Sequence, residues 1–307
     1  MFLDKDKRAV FITVTVTFLV ASVFAVGRVV SRFGIVKRHG WDDYAFIAAW
    51  ILAFGLSFTV GFGASMDFGD GDGDTTRLRT QYTAMVMFIP ALTTAKISIL
   101  LLYLDIARQS QKFLRVGSYV TLVVVSVGGV ILTFMTALRC RPVEAAYNFA
   151  ARDPSCIPIQ NIWLSAWPVN IATELAILVL PIPALATLPL TPWRKSMVIL
   201  SFILGVIFIG VIDVARIYNL QLAVINLEQA TAPRSVNVGM ALLWSAVEVN
   251  TAVIGAAIPT LRPVIRRLTP SNTLRLTSHG STRTSLQFFP SQAASPNSPS
   301  PDALEHH

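Results

Sequence analysis

Seven runs of apolar residues divide the chain, each close to the ~20 positions a helix needs to cross a bilayer. They cover residues 10–30, 44–65, 82–104, 116–137, 162–185, 197–222 and 238–261. None keeps a strict polar–apolar alternation, and all are too long for ordinary strands. The pattern predicts an all-α fold, a seven-transmembrane-helix bundle. After Arg267 the composition shifts to Ser, Thr, Pro and Asn. This divides the chain into a membrane domain at 1–265 and a disordered Ser/Thr/Pro-rich tail at 266–307. The tail's hydroxyls are candidate phosphorylation sites, so it is the segment expected to meet a cytosolic partner.

Composition agrees with the pattern. Hydrophobic residues make up 53% of the 307, charged residues only 14%, and the mean hydropathy is +0.60. Soluble domains carry about 25% charged residues, so the partner implied for most of this surface is the lipid bilayer of a plasma membrane or endomembrane. The net charge of +8 does not point to nucleic acid, because the basic residues flank apolar runs instead of lining one face. With the N-terminus outside and the C-terminus cytosolic, the inner connections and tail hold fourteen Lys and Arg, among them Arg28, Arg32, Lys37 and Arg38. The outer connections hold nine. The excess favours that orientation.

Five ionisable residues fall inside the runs: Lys96, Glu174, Asp213, Arg216 and Glu248. Lys96 stands about 14 residues into its run, ~20 Å deep at ~1.5 Å per residue. That is past the middle of a hydrocarbon layer ~30 Å thick. A lone charge there costs at least ~2.5–3.5 kcal/mol, so it must face protein or water. Counting from the outer side puts Glu174 and Glu248 in the same layer. Asp213 and Arg216 are expected higher, three residues apart on one helix and able to pair. Two readings follow. One is a salt-bridge clasp, with Lys96 joined to Glu174 or Glu248. The other is a polar chamber in which a carboxylate binds a ligand or moves a proton. Pro90, Pro168, Pro181 and Pro183 favour an opened bundle. Trp163, Trp167, Asn170 and Trp244 are expected to line the outer half, with Trp163 also suited to an interfacial aromatic belt.

Cys140 and Cys156 share one hydrophilic loop with fifteen residues between them, which suits a disulfide in an oxidising compartment or two free thiols. His39 is the only histidine outside the last thirty residues, so neither a metal nor haem is expected. The acidic turn from Asp67 to Asp74 lacks the glutamate spacing of a calcium loop and reads as solvated.

Several local patterns occur in order. Arg28 and Arg32 precede Gly40-Trp41-Asp42-Asp43-Tyr44; Lys96 and Ser98 lead to Tyr103; Cys140-Arg141-Pro142 precedes Cys156. Glu174 leads to Leu180, Pro181 and Pro183; then come Gly205 with Arg216, Trp244 with Glu248, and Pro259 with Pro263. Together they resemble the fungal rhodopsin-like integral membrane family, of the kind that includes the satratoxin-cluster membrane protein. The resemblance covers about residues 8 to 265 and implies a seven-helix protein whose relatives often sit in secondary-metabolite gene clusters. Glu174 departs from it, since the family more often has Asp there. A retinal pigment needs a lysine in the seventh helix, and 238–261 has none. No cofactor is therefore expected. Asp105 and Arg108 are only a weak echo of the receptor tripeptide that follows the third span.

Three functions are compatible with these residues. The first is an accessory component of a secondary-metabolite pathway that handles or senses a lipophilic small molecule. The second is a membrane-embedded cyclase or isomerase with Glu174 or Glu248 as catalytic acid and Trp167 or Trp244 stabilising cations. The third is a receptor-like signalling protein.

Overall fold

The computed structural model describes residues 2–36, 40–65, 73–107, 112–146, 155–157, 159–186, 205, 210–219, 221–222 and 234–261. Most of the acidic turn from Asp67 to Asp74 (its residues 67–72), much of the predicted run at 197–222 and the tail lie outside the described residues. Among those described, six helices are long and apolar enough to cross a membrane: Arg8–Gly34, Trp41–Ser65, Leu78–Ala107, Lys112–Ala137, Asn161–Pro183 and Gly239–Leu261. They correspond to six of the seven predicted runs. The seventh is represented by the helical residues 210–219.

In chain order the helices are α1 (Phe2–Val29), α2 (Trp41–Ser65), α3 (Gly73–Ala107), α4 (Lys112–Ala137), α5 (Ile159–Val179), α6 (Pro181–Ala186), α7 (210–219) and α8 (Arg234–Ala257). A π-helical stretch, Val30–Val36, extends α1, and a 3-10 turn, Ile258–Leu261, ends α8. The observed α3 is longer than its apolar run. Its first turns carry polar residues such as Thr76 and Arg79, which hydropathy does not count but a helix standing out of the bilayer tolerates.

The main core joins α1, α2, α3 and α8. Ala21 and Ala25 of α1, Ala53 of α2, Ala91 of α3 and Ala256 of α8 have no exposed surface. Small residues at these points let backbones approach closely, and close packing drives helix association in lipid. Asn250 joins three of these helices by donating to Ser57 Oγ at 3.2 Å and Thr17 Oγ1 at 3.3 Å. On α4, Val116, Val120, Val123, Val127, Val130 and Phe134 are exposed, which makes this face lipid-directed. The opposite face of α4 approaches α3 so closely at Gly129 that a Cβ there would overlap the Thr93 side chain.

Cys140 and Cys156 form a disulfide, and the two residues pair antiparallel in a short ladder of β1 (Cys140–Arg141) and β2 (Ser155–Cys156). The same end of the bundle is tied by Tyr82, whose hydroxyl donates to the Ala137 carbonyl at 2.7 Å. Closing a loop of about 15 residues stabilises by roughly 3 kcal/mol on chain entropy. The paired change Cys140→Ser and Cys156→Ser is accordingly expected to lower unfolding free energy by about that amount. Titration with denaturing detergent, with and without reductant, checks this: reductant should weaken the natural protein and leave the variant unchanged.

At the opposite end, where α1 and α8 finish and α2 begins, Arg28 is almost wholly buried at 1% exposure. Its Nη2 donates to Asp42 Oδ2 at 2.9 Å and Asp43 Oδ1 at 3.1 Å, and its Nη1 donates to the Ala256 carbonyl at 2.6 Å. Arg32 reaches Asp42 Oδ2 at 3.0 Å, and the Arg28 guanidinium lies 4.4 Å from the Phe46 ring centre. Ser98 of α3 donates to the Asp42 carbonyl at 3.0 Å. Two cations and two anions thereby tie the ends of α1 and α8 to the start of α2, and Ser98 adds α3 through the Asp42 backbone. From the sequence Arg28 and Arg32 count as flanking charges and as part of the family pattern; the structure adds a buried ion-pair role. The overlooked signal was spacing: arginines four apart on one helix end, followed by paired aspartates in the first turn of the next, each favoured there by the helix dipole.

Candidate functional site

Lys96, at 5% exposure, is buried on α3 and faces α5. Its Nζ donates to Asn170 Oδ1 at 2.7 Å and Thr173 Oγ1 at 3.1 Å, and sits 3.1 Å from Glu174 Oε1. An ammonium has three protons, so this cage fills them. Asn170, Thr173 and Glu174 can share Lys96 because positions i, i+3 and i+4 project from one helix face. Thr173 was missed in the sequence, although the same spacing would have found it.

The choice left open for Lys96 is settled geometrically: its carboxylate is Glu174. Glu248 of α8 is bound instead by Arg216 of α7, Nη1 to Oε2 at 2.8 Å. Arg216 also pairs with Asp213 at 3.2 Å. The expectation of a separate upper pair at Asp213 and Arg216 is therefore corrected. The long arginine side chain spans the offset between layers and merges both pairs into one network. Asn170 completes it by donating to Glu174 Oε1 at 2.9 Å and Glu248 Oε1 at 3.3 Å. One carboxylate oxygen from each of Glu174, Asp213 and Glu248 falls within 4.8 Å of the other two.

Beside this network lies a cavity of about 90 Å³ between α3, α4 and α5. Lys96, Asn170, Thr173 and Arg216 give it a polar floor, while Phe88, Leu92, Val125, Trp163 and Trp167 supply apolar walls. Pro90 and Pro168 sit inside the two helices that flank it. Each removes a helical hydrogen bond, the commonest cause of a kink in a helix. Val124, Leu164 and Val169 also line the cavity yet are exposed on the outer surface. Its mouth therefore opens sideways, between α4 and α5, toward the hydrocarbon.

Trp167 and Asn170 both line this cavity. Trp244 does not: it packs against the core cluster of α1, α2, α3 and α8, because α8 turns that face inward. Trp163 is no belt residue either, being buried with its ring 5.8 Å from Phe88. The indole N–H groups of Trp163 and Trp167 have no acceptor among the described residues. Glu174 and Glu248 stand behind Lys96 and Arg216 and are not among the lining residues, so a substrate in the cavity meets the cations before the acids.

The family described as fungal rhodopsin domain matches residues 27–267. No curated protein and no solved structure matches the chain. The matched stretch takes in both ion-pair networks, the cavity and the disulfide.

Proposed function

This chain belongs to the fungal rhodopsin family, and from that premise we propose that it is a multi-pass membrane protein that takes up a lipophilic small molecule. The molecule enters from the bilayer into the cavity between α3, α4 and α5. The handling or sensing of such a molecule is an accessory role within secondary metabolism, of the satratoxin-cluster kind. The observation that carries the reading is the sideways mouth at Val124, Leu164 and Val169 above a polar floor. A lipid-soluble molecule reaches it without crossing water, and oxygen atoms on that molecule would meet the polar floor at Asn170, Thr173 and Arg216. Orientation follows the excess of basic residues and the disulfide: N-terminus outside, with the Arg28 network and the tail cytosolic.

Gly128 offers the test. It lines the cavity, and a Cβ built there meets nothing within 4 Å. Gly128→Leu should therefore fill the space without disturbing the fold. In liposomes, a diazirine-bearing lipophilic probe is expected to label α4 and α5 at the cavity. The substitution should lower that labelling by about tenfold, as the loss of ~1.4 kcal/mol would. Uniform labelling of lipid-facing positions, unchanged by Gly128→Leu, would refute the reading. In the cell, loss of the gene is expected to alter the distribution of a metabolite and leave its carbon skeleton intact.

A further inference from the structure

The polar network contains three carboxyl groups and two cations, all buried: Glu174, Asp213 and Glu248 against Lys96 and Arg216. Each oxygen can be followed to its donor. Glu248 receives Asn170 on Oε1 and Arg216 on Oε2. Glu174 Oε1 receives Lys96 and Asn170, and Asp213 Oδ1 receives Arg216. Two oxygens remain, Glu174 Oε2 and Asp213 Oδ2, buried and without a donor.

Both lie buried away from solvent. One carboxylate oxygen of Glu174 on α5 and one of Asp213 on α7 lie within 4.8 Å of each other. In a low-dielectric interior, two carboxylates sharing a site do not both stay ionised. A proton bridges two such oxygens without needing any added volume. It satisfies both oxygens at once and cancels the surplus negative charge.

We propose that Glu174 and Asp213 form a proton-binding site, a carboxyl–carboxylate pair holding one exchangeable proton that couples to the state of the cavity. The coupling is mechanical. Occupied, the pair joins α5 to α7. Emptied, it sets two like charges against each other across those helices. Asn170 and Thr173, neighbours of Glu174 on α5, form part of the cavity floor, so α5 carries the displacement to the ligand. The charged groups that face the pair are Lys96 from α3, Arg216 from α7 and Glu248 from α8. Among the described residues no others are in the network. The proton site stands on its own; only the coupling rests on the cavity reading.

Infrared spectroscopy of the reconstituted full chain tests the site. The expected result is a protonated-carboxyl carbonyl band at neutral pH that shifts in heavy water. Glu174→Gln or Asp213→Asn should abolish it, and Glu248→Gln should leave it in place. Each amide variant keeps a donor between the two helices, so the fold is retained, and detergent-resistant compactness verifies this. Absence of the band, or its survival in both Glu174→Gln and Asp213→Asn, would overturn the proposal. So would a sodium-dependent rise in thermal stability that needs both carboxyls, which would assign the site to a metal cation. Coupling is read separately, by quenching of tryptophan with brominated lipid. Quenching should rise at least twofold as alkali removes the band, and should not change with pH in Asp213→Asn. A pH-dependent band with constant quenching would sink the coupling and leave the proton site standing.

Discussion

Arg28→Met is expected to be among the most damaging single changes in the protein, costing about 3–5 kcal/mol of unfolding free energy. The substitution keeps much of the apolar stem but strips Asp42 and Asp43 of their buried cation, leaving only Arg32 at their edge. It also leaves the Ala256 carbonyl without its 2.6 Å donor and so loosens α8 from α1. Arg32→Met should cost far less, near 1 kcal/mol, because Arg32 is 15% exposed and water supports its absence. Denaturing-detergent titration in mixed micelles, followed by far-UV circular dichroism, measures both. Adding Asp43→Asn to Arg28→Met should recover part of the loss, since removing both partners is milder than orphaning one. Equal effects of the two arginine variants would mean that burial plays no part in the network.

Lys96→Met should carry a cost of similar size, about 3–5 kcal/mol, for a different reason. Lys96 fills an acceptor cage built by α5, and its loss leaves Glu174 with only the Asn170 amide. The structure makes a sharper forecast than charge counting does. Lys96→Met combined with Glu174→Gln should regain most of the stability, whereas combination with Glu248→Gln should regain little, because Glu248 depends on Arg216. A double-mutant cycle in the same detergent titration reports the two coupling energies. Equal rescue by both glutamines would contradict the assignment of partners.

The helices were legible because crossing a bilayer demands long apolar runs, a constraint that leaves few alternatives. The buried charges were legible for the same reason: Lys96, Glu174, Asp213, Arg216 and Glu248 stand out in an apolar background. What depth counting could not give was partnership. Glu174 and Glu248 fall in one layer, and only helix rotation decides that Glu174 meets Lys96 while Glu248 meets Arg216. Rotation is set by packing at positions such as Ala91 and Gly129, whose meaning appears only once the neighbouring helix is in place. Trp244 was misplaced on the same ground. The Arg28 network was missed because charges near the end of a run look like flanks, and hydropathy does not distinguish a buried end from a wetted one.

The distance along the chain between Lys96 and Glu174 has a consequence for biosynthesis. Arg28 meets Asp42 and Asp43 within one hairpin, so its charge is matched almost as soon as α2 leaves the ribosome. Lys96 must wait for α5, and at ~5–20 residues per second that delay is roughly 4–16 s. Throughout that interval α3 carries an unmatched ammonium costing at least ~2.5–3.5 kcal/mol in lipid. Release of the third helix into lipid before α5 emerges would carry that cost unrelieved. The pairing of charges thus favours a particular order of release: α1 and α2 can leave together, while α3 gains by waiting for α5.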